Sequence, residues 1–254
     1  MRNILILGKV ELLEAVRNIK FVWLAVFFMI LGVTQPLIDR YMEVVIENLG
    51  GVDGIMMDPN ASVPPSNEVL LGTFSGQFNQ IGLIVLVISF MGMMVVEKNN
   101  GVQSFIFTRP VSSLEYIVSK LFGNWFISMV CISIGSIVSY FYTIYLFDYY
   151  PISKFLLFLL FYSLWILFVV SLAVLLSTFI KSSIFIGIMT IILTMIFILL
   201  GSMNETLALF LPSGALTLAE SQLQNTHSNL LLMIAPIIYI VISLYVAKVT
   251  IKKI

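Results

Sequence analysis

The sequence predicts an all-α integral membrane protein with six membrane-spanning helices, and two observations support this fold class. Of the 254 residues, 60% are hydrophobic and only 10% are charged. A soluble domain usually has about one quarter charged residues, so this chain cannot cover itself with an ordinary wet surface. The apolar residues also form six blocks long enough, at about 20 residues for a hydrocarbon core of about 30 Å, to cross a bilayer.

None of the six blocks contains Asp, Glu, Lys, Arg or His. Each block can therefore insert without the roughly 2.5 to 3.5 kcal/mol that a charge at the centre of a span costs on insertion scales. We place the spans at 21–38, 80–96, 122–147, 155–180, 184–200 and 230–247. With their flanking segments they predict a single transmembrane domain over 1–254.

Residues 1–20 predict an amphipathic helix lying along the membrane surface. Charged residues interrupt any apolar core there, and no small-residue cleavage site follows, unlike in a cleaved signal peptide. On a helical wheel, one side is apolar and the other polar. The apolar side contains Ile4, Leu5, Leu12, Ala15, Val16 and Ile19, and the polar side contains Glu11, Glu14, Arg17 and Asn18. This pattern is typical of an interfacial helix, although a plain cytosolic helix would also fit it.

The basic residues predict that the N and C termini are both cytoplasmic. With this orientation, every Lys and Arg lies in a cytoplasmic segment except Arg40 and Lys154, as the positive-inside rule requires. Segment 97–120 is then cytoplasmic, and 39–79 and 201–229 are external. The first external segment is rich in Gly and Pro, which suggests a small cap or mobile loop. For the second we expect short helices on or in the outer leaflet, because irregular backbone at depth must be shielded.

The chain lacks the patterns needed for several kinds of chemistry. Spans without ionisable side chains argue against an ion-driven pump. The only histidine, His227, cannot supply the two histidines of a zinc protease motif, and a lone cysteine, Cys131, excludes an internal disulfide and argues against a Cys-based metal cluster. The Gly8-Lys9 pair lacks both the earlier glycine and the following Ser or Thr of a phosphate-binding loop. Energy for any uphill movement must therefore come from another chain.

The cytoplasmic segment 97–120 is predicted to form a helix, a corner and a second helix. Gly101 follows two asparagines and offers a turn after the second span, and Phe105 lies on a short amphipathic face beyond it. Pro110 lacks a backbone N–H and biases Arg109 away from helix, which predicts the corner. A new helix then starts with Ser112 or Ser113 as its N-cap and runs through Lys120 into the third span.

Together these residues resemble the signature of ABC-2 type permeases, the membrane subunits of bacterial ATP-binding-cassette exporters. The resemblance extends over essentially the whole chain, with its amphipathic N-terminal helix, six spans and partly apolar segment before the last span. The local motif consists of Glu97-x-x-x-Gly101, Arg109-Pro110-Val111-Ser112 and Lys120.

The resemblance implies that 99–108 is similar to the family's coupling helix, which docks in a groove of a separate nucleotide-binding subunit. It implies no cofactor in this chain, with ATP and Mg bound by the partner ATPase. A basic cytoplasmic loop that only obeys the positive-inside rule is the alternative. The residues assigned to coupling on this basis are Glu97, Gly101, Phe105, Arg109, Pro110 and Lys120.

The sequence therefore predicts a permease subunit, not an enzyme, in a bacterial cell membrane. Its expected partners are an ABC ATPase, a second permease copy or paralogue and membrane lipid, and zero net charge gives no reason to expect nucleic acid. Smooth, uncharged spans favour export of a hydrophobic or amphipathic substrate, such as a peptide toxin, an antimicrobial peptide or a lipid-like molecule. A non-transporting scaffold or sensor that recruits a cytosolic partner would have the same topology. A passive channel is disfavoured because no span carries a polar stripe.

Overall fold

The computed structural model describes residues 2–48, 64–224, 226 and 229–251. Within these residues every regular element is a helix and no β-strand occurs. The elements are α1 Arg2–Arg17, α2 Lys20–Asn48, α3 Ser66–Leu71, a π-helical segment Gly72–Gly82, α4 Leu83–Phe90, α5 Val95–Asn99, α6 Val102–Phe107, α7 Ser113–Leu146, α8 Ile152–Phe179, α9 Ser183–Met203, α10 Glu205–Ala208, α11 Gly214–Gln224, a 3₁₀ helix Leu230–Met233 and α12 Ile234–Ile251.

Six helical stretches of the described chain are long and apolar enough to cross a membrane, which confirms the predicted fold class. They overlap the six predicted blocks, but most extend further because a helix can continue through polar residues beyond the hydrocarbon. The stretches are Lys20–Met42, Ser66–Asn99, Ser113–Leu146, Ile152–Phe179, Ser183–Met203 and Leu230–Ile251. The third and fourth end one residue before the predicted ends, at helix caps Phe147 and Ile180.

The segment 39–79, predicted to be external with a small cap or mobile loop, is helical over most of the residues that the structure describes there. Helix α2 continues to Asn48, and the second span begins at Ser66. Gln35 Nε2 donates to Asp39 Oδ1 at 2.8 Å, one helical turn apart, which supports the helix where it becomes polar. The Gly- and Pro-rich part of this segment, 49–63, lies outside the described residues.

Helix α7 is the centre of the bundle and packs against α1, α2, α8 and α12. Its contact with α2 is a direct backbone approach at two glycines. A Cβ atom on Gly135 would overlap the Phe28 carbonyl oxygen, and one on Gly32 would overlap the carbonyl oxygen of Gly135. Glycine at these positions lets the two helices pack more closely than side chains would permit.

Aromatic side chains join the π-helical segment to α8. The Phe74 ring lies 4.3 Å from that of Phe158 and 5.1 Å from that of Phe78, measured between centroids. All three rings and that of Tyr162 are buried. This contact positions the polar residues of the same segment, Ser75 and Asn79, towards α9 and α11.

The segment between the fifth and sixth spans contains the expected short helices. They are α10 and α11, and α11 packs against α8 and α3. Six of its eleven residues are buried inside the protein, including Leu216, Leu218 and Leu223. Internal packing therefore shields this apolar segment, while its depth in the outer leaflet, like the surface position of α1, stays a prediction.

Candidate coupling site

The short helix α6 lies between the second and third spans and is exposed. None of its residues is buried within the described chain. Gly101, which precedes it, has a φ of 74°, in the left-handed region that other residues adopt only with strain. This glycine allows the chain to turn from α5 directly into α6. The predicted turn is therefore present, and the helix begins at Val102 instead of Asn99.

Phe105 gives α6 an apolar outer surface. Its side chain is 62% exposed, and the neighbouring Val102 is exposed as well. The guanidinium carbon of Arg109 lies 5.6 Å from the centre of the Phe105 ring, within range of a cation–π contact. Aromatic and arginine side chains are enriched where proteins bind one another. This part of the chain has the composition of a small docking surface.

Arg109 and Pro110 form the corner that the sequence predicts. The backbone N–H after Pro110 donates to the Arg109 carbonyl at 2.6 Å, which closes a tight turn. Helix α7 then begins with a capping box: Ser112 Oγ accepts from the Glu115 N–H at 3.2 Å, and Glu115 Oε2 accepts from the Ser112 N–H at 3.0 Å. The N-cap is therefore Ser112 and not Ser113, the other candidate.

A buried ion-pair cluster lies at the base of this segment. The Lys120 side chain is on α7, and the residue is only 4% exposed. Its Nζ donates to Glu97 Oε1 of α5 at 2.6 Å and also to Glu11 Oε1 of α1. One ammonium group thus connects the N-terminal helix to the end of the second span and the start of the third.

Neutral side chains complete the hydrogen bonding of the two carboxylates. Tyr116 Oη donates to Glu97 Oε2 at 2.6 Å, and Asn124 Nδ2 donates to Glu11 Oε2 at 3.3 Å. Lys20 Nζ in turn donates to Asn124 Oδ1 at 3.3 Å. Buried charges are retained when they are paired and hydrogen-bonded in this way.

The cluster contains several carboxylates, and their pairing with Lys120 bears on whether they could bind a metal ion. Burial raises the pKa of Glu11 above its ordinary value, while the charge of Lys120 and its hydrogen bond act in the opposite direction. Carboxylate oxygens of Glu11, Glu14 and Glu97 lie within 4.8 Å of one another, close enough to share a metal ion. Because the Lys120 ammonium already pairs with Glu11 and Glu97, we interpret the group as an ion-pair cluster and not as a metal site.

The start of α1 makes a second connection to the corner. Asn3 Nδ2 donates to the Pro110 carbonyl at 3.1 Å and to Glu115 Oε2 at 3.3 Å. The N-terminal helix therefore contacts segment 97–120 at both the corner and the ion-pair cluster.

Sequence reasoning found some of these residues and missed others. Glu97 and Lys120 were assigned to the same segment, and the structure brings them into direct contact. Asn3, Glu11 and Tyr116 were not assigned. Glu11 could have been suspected from its place on the polar side of α1, but its partner lies 109 positions away in the sequence, and no local pattern indicates such a pairing.

The six residues assigned by resemblance fall into three parts of the site. Phe105 and Arg109 contact each other on the exposed side. Gly101 and Pro110 set the two turns. Glu97 and Lys120 form the buried pair.

Two comparisons with known proteins bear on what this site belongs to. A family model described as ABC-2 family transporter protein matches residues 69–248. The chain belongs to the ABC-2 family of transporter proteins. An uncharacterized transmembrane protein of Bacillus subtilis (strain 168), YxlG, is 34% identical over 183 residues, which cover 72% of this chain and 70% of that protein.

Membership in the ABC-2 family makes this chain a multi-pass membrane component of a transporter, and ABC-2 permease domains are not themselves catalytic. The family match includes all of α5, α6 and α7. It begins after α1 and α2, so Glu11 and Asn3 lie outside the matched range.

Proposed function

We propose that this ABC-2 family chain is the permease subunit of an ATP-driven exporter in a bacterial cell membrane. In this proposal α6 and the corner at Arg109 and Pro110 receive movement from a separate ATPase subunit. The observation that carries the proposal is the exposed helix α6, with Phe105 on its surface and a buried ion-pair cluster at its base.

The cluster supports this proposal because it makes the base of α6 rigid. A force applied to α6 reaches α5 through Gly101 and reaches α7 through the capped corner. The Glu97–Lys120 pair connects those two helices directly, so they are expected to move together. Packed helices and paired charges transmit displacement, whereas a loosely held loop would absorb it.

ATP and Mg are assigned to the partner ATPase because the sequence has no phosphate-binding loop. We expect two permease chains, identical or related, and two ATPase subunits in the working assembly. ATP binding would draw the ATPases together and rock the two six-helix units against each other.

Hydrophobic or amphipathic molecules are the cargo class that the sequence favours. The six predicted blocks contain no charged residue that would pair with an ionic substrate at the centre of the membrane. Peptide toxins, antimicrobial peptides and lipid-like molecules all belong to this class.

The test is recovery of the partner from native membranes with the tagged chain, identified by mass spectrometry. We expect an ATPase carrying the GxxxxGK[ST] motif. Phe105→Glu should lower its recovery by about tenfold or more, because a central aromatic contact is replaced by a charge. Arg109→Ala combined with Pro110→Gly should weaken recovery as well.

Phe210→Glu is the matched control, because Phe210 is also exposed but lies in the segment predicted to be external. It should leave recovery of the ATPase unchanged. If Phe105→Glu retained both the ATPase and ATP-dependent transport, the coupling role would be wrong. Recovery of a soluble partner without an ATPase motif would favour the scaffold or sensor.

A further inference from the structure

Two adjoining cavities lie on either side of α11, far along the chain from segment 97–120. The first is also lined by the π-helical segment and the end of α9, and the second by α10 and residues 226–232. One has a volume of about 410 Å³ and the other about 390 Å³. They share three lining residues, Glu205, Thr217 and Glu220. The two cavities therefore adjoin, with Glu220 on the boundary between them.

Glu220 is a partly buried carboxylate, and within the part of the chain that the structure describes it has one hydrogen-bond donor. Ser75 Oγ donates to its Oε1 at 2.5 Å. Burial raises the pKa of Glu220 above its ordinary value, and the hydrogen bond from Ser75 acts in the opposite direction. No Lys, Arg or His lines either cavity among the described residues. Within the described residues, the carboxylate therefore has no cationic partner of the kind that Glu97 and Glu11 have in Lys120.

Two further polar groups lining the larger cavity have no hydrogen-bond partner among the described residues. Asn79 is 2% exposed, and its Oδ1 accepts from the Tyr162 hydroxyl at 3.1 Å, but its Nδ2 is unpaired. Ser213 is also 2% exposed, and its Oγ is unpaired. Buried polar groups are nearly always satisfied, so unpaired groups lining the same cavity indicate a ligand or solvent.

The backbone at this place is unusual in a way that also favours a binding role. Ser75 and Asn79 are both on the π-helical segment, which extends over Gly72–Gly82. π-Helical turns are rare and occur frequently at functional sites. Gly201 of α9 lies against Ser213, since a Cβ on Gly201 would overlap the Ser213 hydroxyl. The close approach of α9 holds Ser213 at the wall of the cavity.

The chemistry of these groups defines the ligand. An ammonium group has three donors and a positive charge, which the Glu220 carboxylate and the Ser213 oxygen can accept. The unpaired Asn79 Nδ2 requires an acceptor oxygen on the same molecule. Ile198 and Leu216 supply apolar lining beside the polar groups.

We propose that this cavity binds the ammonium group of an amphipathic amine that carries a neighbouring carbonyl or hydroxyl oxygen, with Glu220 as its counter-charge and Asn79 as donor to that oxygen. The free N terminus of an apolar peptide and the head of a lipid-like amino compound share this chemistry. As a statement about cargo, the inference rests on the proposed exporter function. Binding itself requires no ATPase.

The test uses the purified full chain in nanodiscs of phosphatidylcholine, with empty nanodiscs to subtract partitioning into lipid. The probes are glycine dodecyl ester, which has an ammonium beside a carbonyl, and its N-acetyl derivative, which has the same chain without the charge. We expect saturable binding of the first, tighter than that of the second by on the order of 10- to 100-fold, as for a hydrogen bond to a charged group.

Glu220→Gln should weaken binding of the charged probe by a similar factor and remove the difference between the two probes. It keeps the shape of the side chain and an oxygen for Ser75. Asn79→Leu should weaken binding of both probes because both retain the carbonyl. Glu68→Gln is the matched control, since Glu68 is an exposed acid in the segments predicted to be external and lines neither cavity; it should bind like the wild type.

The pH dependence tests the same contact without any substitution. Affinity for the charged probe should rise as pH increases through the raised pKa of Glu220, because only the ionised carboxylate attracts the ammonium. Of the described residues, Glu205, which lines both cavities, and the phenol of Tyr162 are the other titratable groups near Glu220. Glu220→Gln should flatten this profile.

A competition arm distinguishes the two sources of the ammonium. If peptides are the source, a short apolar peptide with a free N terminus should displace the probe more effectively than the same peptide after N-acetylation. Displacement by a long-chain amino alcohol and not by the peptide would identify a lipid-like ligand. Either result supports the site.

Equal binding of the two probes, or equal binding by the Glu220→Gln and Glu68→Gln variants, would overturn the inference and leave a cavity that holds only water. That outcome would not affect recovery of the ATPase through Phe105. Conversely, loss of the coupling role would leave ammonium binding intact. The two proposals therefore fail separately.

Discussion

Lys120 has two carboxylate partners and almost no contact with solvent. In the sequence, a lysine just before an apolar block indicates an anchor at the membrane interface. In the structure, its side chain is directed into the protein, between α1 and α5. Because one ammonium faces two carboxylates, removing it would leave both acids buried without a counter-charge.

Lys120→Met should therefore lower the free energy of unfolding by about 3 to 5 kcal/mol, the usual range for breaking a buried ion pair. Thermal unfolding of the purified chain in detergent measures the effect. Lys181→Met, which removes an exposed lysine, is the control and should change stability little. Adding Glu11→Gln to Lys120→Met should recover part of the loss. Equal melting temperatures for the two lysine variants would contradict the interpretation.

Glu220 should make stability depend on pH in a specific direction. Its pKa in the folded chain is raised by burial from an ordinary value of 4.5. As pH rises above that value, the unfolded chain releases a proton that the folded chain retains, so stability falls until the pH passes the folded pKa. Glutamine has no proton to lose.

We therefore expect the melting temperature of Glu220→Gln, relative to wild type, to increase as pH rises from 4.5 towards neutral. Glu68→Gln should follow the wild type throughout, because Glu68 is exposed. A constant difference between wild type and Glu220→Gln across this range would show that Glu220 ionises as easily in the folded chain as in the unfolded one.

At the scale of elements, the start of α7 is the best-defined prediction from local sequence. The order Ser112, two intervening residues and Glu115 is that of a capping box, and both reciprocal bonds are present. The second span was predicted over 80–96, and the helical stretch that contains it begins earlier, at Ser66. Packing of Phe74 and Phe78 onto α8 and α2 stabilises this helix before residue 80.

Ser112→Ala should destabilise the first turn of α7 by about 1 kcal/mol, the usual effect of losing an N-cap. Hydrogen exchange of the Glu115 amide should become faster, because its acceptor is lost. Ser113→Ala changes the neighbouring serine, which is not the cap, and should leave that exchange rate unchanged. Faster exchange of this amide in Ser113→Ala, and not in Ser112→Ala, would show that Ser112 is not the N-cap.

For the molecule as a whole, the six-helix arrangement follows from the lipid that surrounds it. Lipid cannot satisfy a free backbone group, so each apolar block must be helical. The predicted orientation, with both termini and 97–120 in the cytoplasm, depends on the distribution of Lys and Arg. The side of the membrane on which each segment lies is set when the chain inserts, and this orientation stays a prediction.

The orientation can be measured by labelling single thiols in intact cells with an impermeant maleimide, after Cys131→Ala removes the native thiol. Tyr149→Cys, at an exposed position between the third and fourth spans, should react in intact cells. Ser104→Cys, at an exposed position on α6, should react only after permeabilisation. Labelling of Ser104→Cys in intact cells would place α6 on the outer face and end the coupling proposal.

Properties that depend on neighbouring residues and on the solvent could be predicted from the sequence alone. Composition predicted a membrane protein, and block length predicted six spans. Backbone preferences at Gly101, Pro110 and Ser112 predicted the turns of segment 97–120. Each of these follows from the chemistry of a few adjacent residues, so a local pattern is sufficient to predict it.

The contacts between groups distant in sequence became known only from the packing of the helices. Glu11 and Lys120, or Ser75 and Glu220, are separated by more than a hundred positions, and no sequence spacing relates them. The sequence also could not separate a charge that needs a partner from one that water solvates. Burial decides that difference, and burial is a property of the packed bundle.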